Sequence, residues 1–372
     1  MISIVANFYK SEAFIPNLIK SVQNQSFQDW ELICVNDASP LNDAKIIRKY
    51  AASDARIRLI DLEENVGISK AKAIGISNAN GEFITFIDGD DWLDHLAIEK
   101  LYEPVLQHPE LDIVLMNAWR SLRICGVEYK KPFNNSPKHP FGLPIDMNKD
   151  RWTYLRHFYG QSMYNSAYWG KLYRRQLIID ADFKPRDNPI GEDYMFNFEM
   201  MRRAKSICFI DYPGYFWRWG GITSGINNKC QLSVNQKKFL KASDEYFLYL
   251  NKFIPVASEY DDIRVSHLEE LVQNIFHVFS SIASFSPFSV QAESLKKELA
   301  TLLANDKSYG YLKNLEQLKP DAFTTAVVQA IIHKDANALY SLAHTQYKSN
   351  WKKYILKKLA HRLLSILQLK LV

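Results

Sequence analysis

Cysteine is scarce in this chain. Its 372 residues contain four, Cys34, Cys125, Cys208 and Cys230, and no two form a CxxC pair. The nine histidines show no zinc-like spacing. A disulfide framework and a structural zinc site are therefore excluded, and the cysteines read as reduced, mostly buried thiols of a cytosolic protein. Long apolar runs are missing too: none approaches the roughly 20 residues needed to cross a bilayer. A strand candidate already begins at Ile2, so no signal peptide is expected ahead of the fold. Glycine is sparse, at 14 residues. None lies in Ala6-Asn7-Phe8-Tyr9-Lys10, which argues against the Gly-rich phosphate loop of a nucleotidyltransferase. Repeats and low-complexity tracts are also absent. Acid is lacking at one end: residues 345–372 hold seven of the 46 Lys/Arg and none of the 41 Asp/Glu. The body is thus near neutral, and the tail supplies the net charge of +5.

What is present is an ordinary globular composition, 47% hydrophobic and 23% charged, long enough for a catalytic domain and a smaller unit. Ile2-Ser3-Ile4-Val5-Ala6 and Glu31-Leu32-Ile33-Cys34-Val35 read as strands. Ala13, Ile15, Leu18, Ile19 and Val22 recur between them at helical spacing. A strand over 56–62, a helix over 66–79, a strand ending at Asp88, a helix over 95–107 and a strand over 111–116 follow. This alternation argues for a mostly parallel α/β sheet. From Asn117 to about Lys149 the pattern is irregular, broken by Pro132, Pro137, Pro140 and Pro144, as in an active-site or acceptor-binding loop. Aromatics dominate from Trp152 to Trp219, and after Gly225 the pattern is almost wholly helical.

Chemistry concentrates at strand ends. The strand Phe83–Ile87 delivers Asp88-Gly89-Asp90-Asp91 into a turn, at the sheet edge where α/β proteins bind ligands. Clustered carboxylates there call for a cation, and hard oxygens suit Mg²⁺ or Mn²⁺, which could hold a diphosphate. Asn36-Asp37-Ala38-Ser39-Pro40 puts a carboxylate where it could accept the imide N–H of uracil, or simply forms a turn. Asn65-Val66-Gly67 opens a helix carrying Lys70 and Lys72, whose free N–H groups could face phosphate. Gly191-Glu192-Asp193 at another helix start offers a candidate general base, or merely complements the helix dipole.

In this order, these segments resemble the family-two glycosyltransferases of GT-A fold from Met1 to about Gly225. Ser3 through Tyr9, Ser21 through Phe27, Glu31 through Ser39, Asn65-Val66-Gly67, Gly81 through Asp91, Tyr168 through Arg174 and Gly191-Glu192-Asp193 carry the match. The resemblance implies a Rossmann-like mixed sheet flanked by helices, followed by a helical C-terminal domain. The expected boundaries are 1–226 for the catalytic domain, 227–346 for the helical domain and 347–372 for a basic amphipathic helix. The implied reaction is an inverting, metal-dependent transfer from a UDP-sugar to a glycan or lipid-linked acceptor, in lipopolysaccharide or capsule synthesis. Tyr9 and Asp37 would contact uracil, and Asp88 the ribose or metal, beside Gly89. Asp90 would be the principal ligand of Mn²⁺ or Mg²⁺, with Asp91 beside it. Asp193 would be the catalytic base, supported by Glu192. Lys72 and Arg218 would meet the diphosphate, Arg218 together with Thr223 and Ser224.

Three positions depart from the family pattern. Lys10 stands where Asn is frequent. Lys72 stands where Arg is frequent, keeping the charge without the bidentate fork. Tyr215 through Gly221 holds no histidine for the metal. Trp217 and Trp219 could pack or offer a flat face to a sugar. In the tail, Trp351, Ile355, Leu359, Leu363 and Ile366 share a helical face flanked by lysines, which suits an anionic membrane surface and a peripheral place at the inner face of the cell membrane. No nucleic-acid motif accompanies the charge. The alternatives are a processive polysaccharide synthase and a non-catalytic membrane- or partner-binding module.

Overall fold

The computed structural model describes residues 1–124, 127–132, 142–149, 151, 167–182, 184–185, 192–218, 320–342 and 344–345, with isolated positions between 245 and 300. The chain divides into two compact units, one drawn mainly from Met1–His157 and Gln161–Asn228, the other from Lys229–Ile366.

The first unit opens with alternating strands and helices: β1 (Ile2–Phe8), α1 (Ile15–Gln23), β2 (Trp30–Asn36), α2 (Asp43–Ala51), β3 (Ile57–Asp61), α3 (Ile68–Ser77) and β4 (Phe83–Asp88). β1, β2 and β4 are short runs of β-favouring residues buried on both faces, all seven residues of β2 being buried, whereas β3 buries only Ile57. The helices form because their apolar residues keep a helical period. Ile15, Leu18, Ile19 and Val22 of α1 are all fully buried on one stripe, each worth about 1.5–3 kcal/mol of transfer free energy.

β5 (Trp92–Leu93), α4 (Ala97–Gln107), β6 (Ile113–Ile124), β7 (Val127–Pro132), β8 (Pro144–Asp146), β9 (Lys171–Arg174), α5 (Arg175–Ala181), α6 (Glu192–Arg203) and β10 (Ser206–Arg218) follow. Among the described residues they complete a ten-stranded sheet of order β3-β2-β1-β4-β9-β6-β10-β5, with β7 on β6 and β8 on β10. β3, β2, β1 and β4 are parallel, whereas β9 runs antiparallel to both β4 and β6. The sheet is therefore mixed rather than mostly parallel. The expected irregular segment from Asn117 to Lys149 is also corrected: β6 continues to Ile124 and pairs with β7 from Trp119 opposite Pro132 to Ile124 opposite Val127. Pro213 sits in β10 at a shift of register, where its missing N–H is tolerated.

In the second unit the described positions are mainly helical. Helix α7 (Ala322–Ile332) is capped by Asp321, whose carboxylate accepts from Thr324 N at 2.6 Å, and buries Val327, Val328, Ala330 and Ile331. No helix among the described residues is long and apolar enough to cross a membrane. The amphipathic tail, the boundary near Asn227 and the residues Gly191, Trp219, Thr223 and Ser224 lie outside the described residues.

Candidate active site

The carboxyl ends of β1, β2 and β4 meet because their registers align, Asn7 standing opposite Val35 and Asp88. Beside them is a cavity of about 310 Å³ lined by Asn7, Tyr9, Asp37, Gly67, Asp88 and Asp90, among others. Asp37 is buried, and its two oxygens accept from Val66 N at 2.7 Å and Gly67 N at 3.0 Å. The end of β2 thus ties down the loop that starts α3. Gly67 is needed there because its φ is +85°. Tyr9 is 39% exposed at the cavity. Lys10 and Ala38 both hold positive φ, 58° and 49°, so the backbone is strained on the two loops beside the cavity. Asn7 Oδ1 is buried with no protein partner.

The acid turn closes the cavity from β4. Gly89 admits no side chain, since a Cβ would lie 2.6 Å from the Asn7 carbonyl oxygen and 3.0 Å from Ser11 Oγ. Asp90 is buried. Asp91 is more fully buried, and its oxygens accept from Tyr215 OH at 2.6 Å and Arg218 N at 2.7 Å. Desolvation first, then the charges of Asp90 and Asp88, push the Asp91 carboxyl well above the usual range. Arg218 donates from Nε to the Asp90 carbonyl at 2.6 Å and lies 4.5 Å from the Trp92 ring centre.

Facing this turn is the start of α6. Asp193 is partly exposed, yet desolvation raises its carboxyl to about 6, opposed chiefly by the Lys72 ammonium and assisted by Glu192 and Asp88. Lys72 is buried on α3, 3.6 Å from Asp88 and 4.4 Å from the Tyr168 ring centre. Glu192 is buried and accepts from Tyr168 OH, which stacks on Phe196 at 4.3 Å. A carboxyl near 6 beside a cation is suited to proton abstraction from a hydroxyl near neutral pH.

Tyr9, Asp37, Asp88, Gly89 and Asp90 thus share one cavity, and Lys72 links Asp88 to the Tyr168 wall. Asp88, Asp90 and Asp91 do not form a three-ligand cluster. Among the described residues no group of three His, Cys, Asp or Glu is arranged to hold a metal ion. Asp91 is not among the residues lining the cavity, and its two oxygens anchor β10. Trp217 is partly buried against the core, with Arg120 5.2 Å from its ring centre. Sequence reasoning assigned no role to Lys171, Tyr173 or Tyr215. The segment Tyr168–Arg174 was the available signal, because a lysine flanked by aromatics and leucine is out of place on a water-facing loop.

Residues 3–181 match the family described as Glycosyl transferase family 2. The chain carries a family 2 glycosyltransferase domain. Over 222 residues, 59% of this chain and 61% of the relative, it is 33% identical to the uncharacterized glycosyltransferase EpsJ of Bacillus subtilis. Over 252 residues, 66% of this chain and 69% of the relative, it is 27% identical to the cholesterol galactosyltransferase of Borreliella burgdorferi. The chain therefore spans about three fifths of EpsJ and two thirds of the second relative. Its fold is similar to that of S. aureus TarS 1-349 in complex with UDP-GlcNAc, with a TM-score of 0.63, 17% identity, and 94% of this chain and 92% of that chain covered. The family 2 match ends within α5, so α6 with Asp193, and β10 with Arg218, lie beyond it.

Proposed function

We propose that this chain transfers a sugar from a UDP-sugar to a hydroxyl of a glycan or lipid-linked acceptor, by single displacement with inversion. The main support is that a cavity bordered by Asp88-Gly89-Asp90 lies across Lys72 from a carboxyl raised to about 6. In this reading Asp37 and Tyr9 receive the uracil. Each Asp37 oxygen keeps a second lone pair beyond the N–H it already accepts, leaving room for an imide N–H. The orphaned Asn7 Oδ1 offers a further acceptor for a base or ribose donor. Likeness of fold to a protein solved with UDP-GlcNAc agrees with a uridine diphosphate donor.

Asp90 and Asp88 would hold a divalent cation, Mn²⁺ or Mg²⁺. The donor set fits, because such ions need only one or two carboxylates when phosphate oxygens and water complete their shell. The repulsion that Asp88 and Asp90 exert on Asp91 is a charge excess a cation would relieve. When bound, the ion would neutralise charge on the departing nucleoside diphosphate. Lys72 and Arg218 add positive charge to the same region. Asp193 takes the proton from the acceptor hydroxyl as it attacks the anomeric carbon, and Glu192 fixes the Tyr168 wall beside it. The basic segment 345–372 supports an acceptor met at an anionic, inner-face membrane surface, in lipopolysaccharide or capsule synthesis.

Thermal unfolding of the purified chain with Mn²⁺ and UDP, GDP or CDP tests the donor class. Stabilisation by UDP alone, lost in Asp90→Ala, is expected, followed by transfer or hydrolysis of at least one UDP-sugar from a broad panel. A wild-type protein indifferent to every nucleotide and every donor would falsify the reading.

A further inference from the structure

Lys171 begins β9 and is completely buried. A buried ammonium is costly unless it has a reason to be there. Lys171 and Tyr173 alternate with Leu172, so they share one face of the strand while Leu172 enters the core on the other. Lys171 Nζ donates to the Ala167 carbonyl at 2.5 Å. The same carbonyl accepts from Asn197 Nδ2 at 3.1 Å, and that amide also donates to the Asp193 carbonyl at 2.8 Å. Tyr173 OH donates to Asn197 Oδ1 at 2.7 Å and lies 3.3 Å from the Tyr168 carbonyl oxygen. Asn197 therefore uses both of its amide hydrogens and its oxygen, and the first turn of α6 is tied to the segment ahead of β9 through one side chain. Burial pulls the Lys171 ammonium down to about 7, and the Asp193 charge opposes that shift.

We infer that Lys171, with Asn197 and Tyr173, is a positioning device that fixes the first turn of α6 and so holds the Asp193 carboxylate in its reactive orientation. This rests on the proposed role of Asp193. Lys171 does not touch a reacting atom. It and Asn197 hold one carbonyl from two sides, and Asn197 passes that constraint to the backbone of Asp193. Methionine is unbranched and close to lysine in volume, and the Ala167 carbonyl keeps its bond from Asn197. The fold is therefore expected to survive the change while the alignment relaxes, since the swap nearly conserves volume.

The first experiment is amide hydrogen exchange on full-length Lys171→Met, which needs no activity. Exchange over 192–200 should quicken about tenfold while β1 and β2 stay as in wild type. Steady-state transfer then separates positioning from mere packing. Lys171→Met should lower kcat about 10- to 100-fold with donor KM within twofold. Asn197→Leu should do the same, and the double variant should be no worse than the poorer single one. Unchanged exchange over 192–200 overturns the inference, and so do an unchanged kcat, a loss confined to KM, or multiplicative losses in the double variant. Should Lys171→Met and Asn197→Leu fail to fold, Tyr173→Phe decides by the same two readouts, with a threefold or greater loss in kcat expected and wild-type behaviour overturning it. If wild type transfers nothing, the proposed function fails, while the exchange result still judges the anchor.

Discussion

The two halves of the sheet place their acids by different means. On the β3-β2-β1-β4 side, position comes from the backbone: Asp37 is gripped by two N–H groups at the start of α3, and Asp88 ends a strand in register with Asn7. On the β9 and α6 side, position comes from buried side chains, Tyr168 on Glu192 and Asn197 beneath Asp193. Strand ends suit the recognition proposed for Asp37 and Asp88, because backbone geometry changes little when side chains do. A desolvated network suits chemistry, because it can shift a carboxyl to about 6. Lys72 spans the two halves, 3.6 Å from Asp88 and over the Tyr168 ring.

If the division is right, breaking the second half should abolish turnover without touching donor binding. Asp193→Asn should reduce kcat by about 10³-fold while UDP still raises the unfolding temperature, as read by steady-state transfer and thermal shift. Breaking the first half should do the reverse. Asp90→Ala should remove metal-dependent stabilisation by UDP and lower kcat/KM about 10²-fold, checked by titrating Mn²⁺. Gly89→Ala forces a Cβ to within 2.6 Å of a backbone oxygen, so a loss of about 1–3 kcal/mol in stability is expected together with weaker UDP binding, measured by denaturant unfolding.

The smallest effects are in pH. Asp193 must be ionised to accept a proton, so kcat/KM should rise with pH through about 6 and level off above it. Its raised value has the opposite sign for stability. The folded state binds the proton more tightly than the unfolded chain, whose carboxyl titrates at 3.8, so stability falls as pH rises through about 6. Asp193→Asn should therefore unfold at a higher temperature than wild type near about pH 7.5, with the gain vanishing below about pH 4, as read by calorimetry. A gain independent of pH would point to packing rather than charge.

The first half was also the legible one. β1, β2 and β4 are largely apolar runs, and α1 and α4 keep a helical period, so each could be read residue by residue. The second half hid for physical reasons. β9 is four residues long and begins with a buried lysine. β10 carries Pro213 at a shift of register, which breaks the alternation that marks a strand. The β6–β7 hairpin carries Arg120, Lys130 and Lys131, and the exposed face of β7 lacks an apolar pattern, so it read as a loop. Among the site residues, the acids could be picked out because short acidic motifs follow strands. The role of Asp91 could not, because its partners Tyr215 and Arg218 lie more than a hundred residues away.

That separation matters while the protein is being made. Tyr215 OH accepts from the Asp88 N–H at 3.1 Å and donates to Asp91 at 2.6 Å, so one hydroxyl locks the acid turn from both sides. A ribosome that has released the first 181 residues has already delivered β1 to β4 and the whole acid turn. Yet Asp91 would then be a carboxylate waiting for its donors, and the turn would have no lock. The cavity beside the acid turn should mature late in translation, only after β10 has emerged and paired with β6.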